Sequence, residues 1–369
     1  MTILQFFEFV EKQGVGLLVF WEKLLANPHP LADIISLMKT LVTGSTGFLG
    51  GALTRRLHGM GWDVTALGRN AAKLRQLESE NIRAAQIDLK EKDKLIEACK
   101  NQEIVFHCAA LPSPWGNYEN FYQANVIGTR NVIHACKANN VRRLVHVSTP
   151  SLYFEYNSRM NVKENDPLPE PITNYAATKI LAEEEVDKAF VDGLPAVTIR
   201  PRAIFGPGDT VIFPRLIPHL KSGRLPIIGD GENVVDLTYI ENVVDALLLC
   251  AESPSHTLGK KYNISNGEPI KLWNMIKRIC DELGLQFPKR KISYQVAHNF
   301  AAALEAVYTL IPTHPEPPLT RASVSLIAHS TTLDISAAKR DLGFTPRVSV
   351  DAGYQKFMRW WKDSSLRAR

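Results

Sequence analysis

Apolar and polar positions along the first two hundred residues alternate between two rhythms. Short runs rich in β-branched and apolar residues read as strands at Lys39–Thr43, Trp62–Leu67, Ile82–Ile87, Glu103–His107 and Arg143–Val147. Between and after them, apolar residues recur at helical spacing over Ala52–Leu57, Ala71–Glu78, Asn125–Cys136 and Asn174–Ala189. Only right-handed βαβ crossovers fit this spacing. It predicts an α/β fold with a parallel, doubly wound sheet.

The same pattern divides the chain. Residues 38–200 are assigned to the sheet domain, with a return near 235–253, and 201–369 mainly to a smaller C-terminal lobe. Tyr262–Ser265 reads as a strand joining the main sheet. Leu333–Ile335 and a final helix, Val350–Trp361, close the chain. Residues 1–37 form an N-terminal extension with an apolar stretch at Val15–Trp21. Three readings stand for it: an extra helix packed on the domain, a membrane-surface or partner helix, or translation starting at Met38. Its apolar run falls short of the roughly 18 residues a membrane span needs.

The first strand ends in Gly44, Gly47 and Gly50 before a helix begins. The chain turns sharply at Gly44, and Gly47 lets backbone approach a ligand. Gly50 lets the helix lie close, and the open helix N-terminus suits a pyrophosphate. A plain glycine-rich corner is the bland alternative. The second strand ends in Gly68-Arg69 with Lys73 nearby, where an acidic residue would select NAD. A cation in that place favours the 2′-phosphate of NADP(H), with NAD(H) the alternative.

Composition changes this picture little. Of 369 residues, 45% are hydrophobic and 22% charged, as in an ordinary globular protein. The net charge of +5 is spread along the chain, which argues against nucleic acid as a partner and mildly favours anionic ligands. The cysteines at 99, 108, 136, 250 and 280 are scattered, without a C-x-x-C pair. They read as buried thiols in a reducing, cytoplasmic setting and not as disulfides or a zinc site.

Chemistry concentrates at Tyr175 and Lys179, four residues apart on one helix face. A phenol with a pKa of about 10 is a poor acid or base at neutral pH. An adjacent ammonium would lower that value and fit the pair for proton transfer at an alcohol or ketone oxygen. The hydroxyl cluster Ser148-Thr149-Pro150-Ser151 follows the fifth strand.

Thr43-Gly-x-x-Gly-x-x-Gly50, Asp88-Leu89, Ala109-Ala110, Asn125-Val-x-Gly-Thr129, Ser148-Thr149, Tyr175-x-x-x-Lys179 and Arg200-Pro201 occur in that order. In this the chain, over about residues 38–365, resembles the extended short-chain dehydrogenases/reductases, the NAD-dependent epimerase/dehydratase group with a Rossmann sheet. The resemblance implies Tyr175 as catalytic acid/base. It implies Lys179 as the residue that lowers the tyrosine's pKa and holds the nicotinamide ribose. Thr149, three residues before Leu152, would hydrogen-bond the reacting oxygen, with Ser148 and Ser151 as alternatives. The cofactor would be held by Gly44, Ser45, Thr46, Gly47, Phe48, Leu49, Gly50, Arg69, Asp88, Leu89, Ala109, Ala110, Asn125, Tyr175, Lys179 and Pro201. Asn125 reads equally as a helix cap. A homodimer is also implied.

Two departures separate the chain from sugar-nucleotide members. Val235 stands where they carry a diphosphate-gripping arginine, and Pro150-Ser151 where dehydratases carry an Asp-Glu pair. Gly206-Pro-Gly-Asp209, Gly229-Asp-Gly-x-Asn233, Asp236-x-Thr-Tyr-Ile240 and Glu316-Pro-Pro-Leu-Thr-Arg321 resemble instead the 3β-hydroxysteroid dehydrogenase-like branch. That implies a large, lipid-like substrate with a ketone or hydroxyl β to a carboxylate, most directly a 2-alkyl-3-keto acid. A steroid or sterol-4-carboxylate dehydrogenase, a sugar-nucleotide epimerase and a non-catalytic cofactor-binding protein are the alternatives. Apolar Val296–Ile311 reads as core, as an apolar wall for the substrate, or as a peripheral membrane contact. Arg215 and Arg321 are the candidate carboxylate ligands, and His298 is left as structural.

Overall fold

The computed structural model describes residues 38–367, so the readings for 1–37 lie outside the described residues. Its first half is a strict alternation: β1 (Lys39–Thr43), α1 (Phe48–Gly59), β2 (Asp63–Gly68), α2 (Ala71–Ser79), β3 (Arg83–Gln86), α3 (Lys92–Ala98) and β4 (Ile104–His107). A helical turn at Tyr118–Phe121 runs through a π-helical segment, Tyr122–Ile127, into α4 (Gly128–Ala138). Then come β5 (Arg143–Val147), the edge strand β6 (Arg159–Val162), α5 (Asn174–Val191) and β7 (Ala196–Pro201).

Six of these strands and β12 (Lys261–Ile264) form one seven-stranded sheet, in the order β3-β2-β1-β4-β5-β7-β12. Every pairing in it is parallel. Helices cover both faces of such a sheet, so its central strands are apolar on both sides rather than alternating. Leu41, Leu67, Val105 and Leu144 pack with Val132 and Cys136 of α4 and Val186 of α5. The sheet order reverses between β1 and β4, which opens a crevice at the carboxyl ends of the strands.

The remaining elements build a second core. They are β8 (Ile204–Phe205), α6 (Phe213–Lys221), β9 (Ile227–Ile228), β10 (Val234–Val235), β11 (Thr238–Tyr239), α7 (Ile240–Glu252), β13 (Ile270–Lys271) and α8 (Leu272–Leu283). After them come β14 (Lys291–Ile292), α9 (Tyr294–Thr309), α10 (Arg321–Ala328), β15 (Thr331–Leu333), α11 (Ser336–Leu342) and α12 (Val350–Arg367). Phe205, Phe213, Ile217, Tyr239, Trp273 and Phe357 meet in this core. A small sheet in the order β13-β10-β15-β6 ties β6 to strands far along the chain.

Helix α9 does not follow the core reading of its sequence. It buries Ala297, Ala301 and Glu305, whereas Val296, Phe300 and Val307 lie exposed along it and Leu310 just past its end. Among the described residues no helix is long and apolar enough to cross a membrane.

The β1–α1 turn is closed by backbone contact. A Cβ at Gly50 would stand 2.3 Å from the Gly44 carbonyl oxygen, and one at Gly44 would stand 2.8 Å from Ala109 N. Gly44 also sits at φ +73°, a conformation that side chains resist. Gly50→Ala is therefore expected to lower stability by about 1–3 kcal/mol, the range for overpacking. A urea midpoint equal to that of the parent chain would overturn this account of the turn.

Candidate active site

The turn after β1 leaves a helix end open. No side chain caps Gly47 at the N-terminus of α1, and its first turn holds no acidic residue. The free N–H groups and the positive helix end fit an anionic ligand. Gly44 and Thr46 lie in this turn, and Phe48 and Leu49 open α1 with their side chains against the second core. Ser45 points away: its Oγ donates to the Val42 carbonyl at 2.6 Å. At the end of β2, Gly68 faces Thr46 so closely that a Cβ there would stand 2.7 Å from Thr46 Cγ2. Lys73 Nζ donates to the Thr46 carbonyl at 3.1 Å, and Arg69 approaches Asp88 at 3.6 Å. Leu89 packs against Gly128 and accepts from Asn131 Nδ2 at 2.8 Å. These features fit a dinucleotide whose phosphates lie on α1.

The crevice floor is a polar row under the strand ends. Thr43 Oγ1 accepts from Ala109 N at 3.2 Å and meets His107 Nδ1 at 2.8 Å. His107 Nε2 meets Thr129 Oγ1 at 3.0 Å, and Thr129 spends its proton on the Asn125 carbonyl at 2.6 Å. That leaves His107 neutral with its proton on Nε2. Burial, helped by the Lys179 charge, pushes its pKa down to about 3. Ala110 follows, half-buried, at the same edge. Asn125 is not a helix cap. It lies within the π-helical segment, accepts from Leu111 N at 2.8 Å and donates to Thr178 Oγ1 on α5 at 3.1 Å. It thus ties the loop after β4 to the helix that carries Tyr175.

Helix α5 begins with Thr173 as its cap, accepting from Ala176 N at 3.1 Å. Tyr175, Lys179 and Glu183 then share one face at successive fours. The Thr149 hydroxyl acts on the Tyr175 phenol and favours its ionised form; it also accepts from Ser151 N at 3.1 Å and donates to Ser151 Oγ at 3.0 Å. Of the three candidate hydroxyls, Thr149 is the one that acts on the phenol's ionisation. Ser148 Oγ is buried with no hydrogen-bond partner.

Lys179 does not act on the phenol in the way its spacing suggests. Its Nζ donates to the Val147 carbonyl at 2.9 Å and meets His146 Nε2 at 3.0 Å. Burial pushes the Tyr175 phenol up to about 12, with only the Thr149 hydroxyl working against it. Burial also pulls the Lys179 ammonium down to about 8, although Glu183 favours its charge. The expected lowering of the phenol's pKa is absent because desolvation dominates and the ammonium is drawn to the end of β5. Pro201 is buried at the end of β7, in register with Ile264 of β12.

The residues offered for a carboxylate have carboxylates already. Arg215 meets Glu316 at 3.4 Å, and Arg321 meets Glu305 at 2.6 Å. His298 sits edge-on to Tyr156, with ring centroids 4.8 Å apart. Three further residues escaped the sequence reading. Glu183 forks the Arg200 guanidinium at 2.9 and 2.5 Å, His146 holds Lys179, and Arg202 lies buried beside Phe154. Glu183 was discoverable from its spacing after Lys179. His146 stands in register with His107 on the neighbouring strand.

Lys179 leaves a pH signature. Its pKa falls from 10.5 in the unfolded chain to about 8 in the fold. Between these values the unfolded state keeps a proton that the folded state has released, so stability rises with pH across the window. The penalty is full below pH 8 and gone above 10.5. Relative to Lys179→Met, the parent protein is expected to gain about 3 kcal/mol between pH 7 and 10.5. Parallel pH profiles of the two melting temperatures would overturn this.

Comparison with known proteins agrees with the geometry. Residues 40–265 match the model of the NAD dependent epimerase/dehydratase family. A 2-alkyl-3-oxoalkanoate reductase of Stenotrophomonas maltophilia is 37% identical over 86% of this chain and 98% of its own length. A mouse (Mus musculus) sterol-4-alpha-carboxylate 3-dehydrogenase, decarboxylating, is 33% identical over 90% of this chain and 93% of its own. Among solved structures, MoeE5 in complex with UDP-glucose and NAD superposes with a TM-score of 0.70 at 26% identity, covering 88% of this chain and 99% of its own. An open helix end at a parallel strand, a Tyr-x-x-x-Lys helix face and these relatives together place the chain in the NAD dependent epimerase/dehydratase family, as an extended short-chain dehydrogenase/reductase.

Proposed function

We propose that the protein is an NADP(H)-dependent reductase that interconverts the ketone of a large apolar 2-alkyl-3-keto acid with a secondary alcohol. One observation carries the reading: Tyr175 and Lys179 share one face of α5 at the carboxyl ends of the strands, where Lys179 Nζ reaches the Val147 carbonyl and the Thr149 hydroxyl acts on the phenol. The bound nicotinamide would supply hydride-transfer chemistry. Tyr175 donates the proton to the carbonyl oxygen, and Thr149 orients that oxygen. Lys179 has three N–H donors, of which His146 and Val147 take two, leaving one for a ribose hydroxyl. Asn125 fixes the start of α5 relative to the cofactor loop.

The preference for NADP(H) rests on the end of β2. Thr46 fills the space beside Gly68, and Arg69 and Lys73 stand exposed there. The Arg69–Asp88 contact is solvent-exposed and weak enough for the guanidinium to turn to a 2′-phosphate. The substrate class rests on the relatives' names. The bacterial and the mouse names both put an oxygen-bearing carbon next to the carbon that carries a carboxylate. The exposed apolar residues of α9 support a lipid-like partner, either an acyl chain or a bilayer surface.

Turnover is read as loss of NADPH absorbance with a long-chain 2-alkyl-3-keto acid, and the competing substrate, a 3-hydroxysterol-4-carboxylate, as gain of that absorbance with NADP+. Tyr175→Phe is expected to lower kcat by about 10²–10⁴-fold. Full activity in that variant would remove Tyr175 from the chemistry. Arg69→Glu is expected to move the NADPH-over-NADH preference toward NADH by about tenfold, as for the loss of one phosphate contact. An unmoved ratio would overturn the NADP(H) assignment.

A further inference from the structure

Arg202 stands directly after β7, and its backbone is pinned from two sides. Its N–H donates to the Ile264 carbonyl of β12 at 2.9 Å, and its carbonyl accepts from Thr238 Oγ1. The residue is only 8% exposed. Its guanidinium carbon lies 4.5 Å from the ring centre of Phe154, the residue that closes the short helical turn opened by Thr149. Nε is buried without a hydrogen-bond partner.

Three arginines are buried among the described residues. Arg143 donates to the Cys250 and Ser253 carbonyls, and Arg200 is forked by Glu183. Arg202 alone of the three makes no side-chain hydrogen bond and no ion pair within 4 Å among the described residues. The charge acting on it is that of Asp236, whose Oδ2 is already spent on Leu333 N at 2.7 Å. Burial drags the guanidinium's pKa down to about 10. A buried planar cation with an empty fork is costly to the fold unless something supplies the acceptor.

We propose that Arg202 binds the substrate's carboxylate through its guanidinium fork while Thr149 and Tyr175 hold the oxygen on the neighbouring carbon. This rests on the proposed keto-acid reading. Strands β5 and β7 are neighbours, with Val147 paired to Ile199 and Ser148 N donating to the Ile199 carbonyl at 2.8 Å. Thr149 and Arg202 therefore leave adjacent strands at the same edge, where strand spacing is about 4.8 Å. A 3-keto acid carries its two oxygen groups on carbons separated by one other, a span that two such residues can bracket. Bidentate recognition also explains an arginine rather than a lysine here.

The test compares substrates that differ in the carboxylate alone. Since 3-keto acids lose carbon dioxide on standing, the assay runs in the oxidising direction with NADP+. The substrates are a 2-alkyl-3-hydroxy acid and the matching secondary alcohol without the carboxylate. The parent protein is expected to prefer the acid in kcat/KM. Arg202→Met is expected to shrink that preference about hundredfold and Arg202→Lys less, the scale of losing one partner of a buried charge pair. Arg215→Met should leave the ratio unmoved. A second measurement needs no variant: a 2-alkyl fatty acid should compete with the substrate and its primary amide should not. Rates on acid and alcohol falling together in the Arg202 variants, or equal inhibition by acid and amide, would overturn the assignment. A parent protein that oxidises neither substrate would instead overturn the proposed function, and the carboxylate reading with it.

Discussion

The buried Glu183–Arg200 pair holds the two halves of the site in one geometry. Glu183 rides on the helix of Tyr175 and Lys179, and Arg200 lies on β7, two residues before Arg202. The Arg200 guanidinium also donates to the Tyr153 hydroxyl, and Tyr153 belongs to the turn that begins at Thr149. Tyr153 in turn donates to Asn263 Oδ1 of β12 at 3.0 Å. One ion pair thus locks the proton-transfer helix, the hydroxyl turn and two strands. Both side chains are nearly inaccessible, at 3% and 5% exposure, so neither charge can fall back on water. A pair of this kind is a poor source of net stability but a strict one to break, because removing either partner strands a buried charge at a cost of about 3–5 kcal/mol. Its value here is positional.

Neutral histidines do the same work under the cofactor crevice. His107 and His146 lie on adjacent strands with ring centroids 5.7 Å apart. Burial and the Lys179 charge hold both well below the ordinary histidine pKa. A neutral imidazole offers one donor and one acceptor, which lets His107 bridge Thr43 to Thr129 and lets His146 accept from the ammonium. Two charged rings at this spacing would repel one another and Lys179.

Much of this was legible in the chain. The parallel sheet follows from strand-helix alternation, the glycine turn and the Tyr175–Lys179 face were visible from spacing, and Asn125 came only with the family resemblance. What could not be read was direction within the site. Spacing places Lys179 beside Tyr175 but not whether its ammonium turns to the phenol or to the end of β5, since desolvation decides that and depends on the whole packing. Arg215 and Arg321 looked free in sequence and are paired, because Glu316 and Glu305 approach through tertiary contacts. Arg202, directly after Pro201, gave no signal in the sequence. Its isolation emerges only when the elements around it are packed and no carboxylate reaches its fork. Helix α9 misleads for a related reason: its apolar count suggests a core, yet its buried face is made of small residues, Ala297 and Ala301, and the large ones face outward.

These placements give the crevice a common sign. The open end of α1, the Lys179 ammonium and the Arg202 guanidinium are fixed positive charge or partial charge at the carboxyl edge of the sheet. Of the nearest carboxylates, Glu183 is spent on Arg200, and Asp236 accepts from Leu333 N through Oδ2 while its Oδ1 is buried without a hydrogen-bond partner. The phenol, pushed up by burial, stays protonated and adds no negative charge. A site so arranged is unbalanced until anions enter it, and two families of anion fit. Phosphates suit the helix end, where donors point along the axis, and a planar carboxylate suits a guanidinium fork. The net +5 of the chain is too diffuse to account for this, so the selectivity is local. It is built from a helix end, an ammonium held only by neutral groups and a guanidinium without a side-chain hydrogen bond. In the proposed reading the cofactor half of that arrangement is written in glycines near residue 44, whereas the substrate half depends on one arginine that the fold leaves without a side-chain partner.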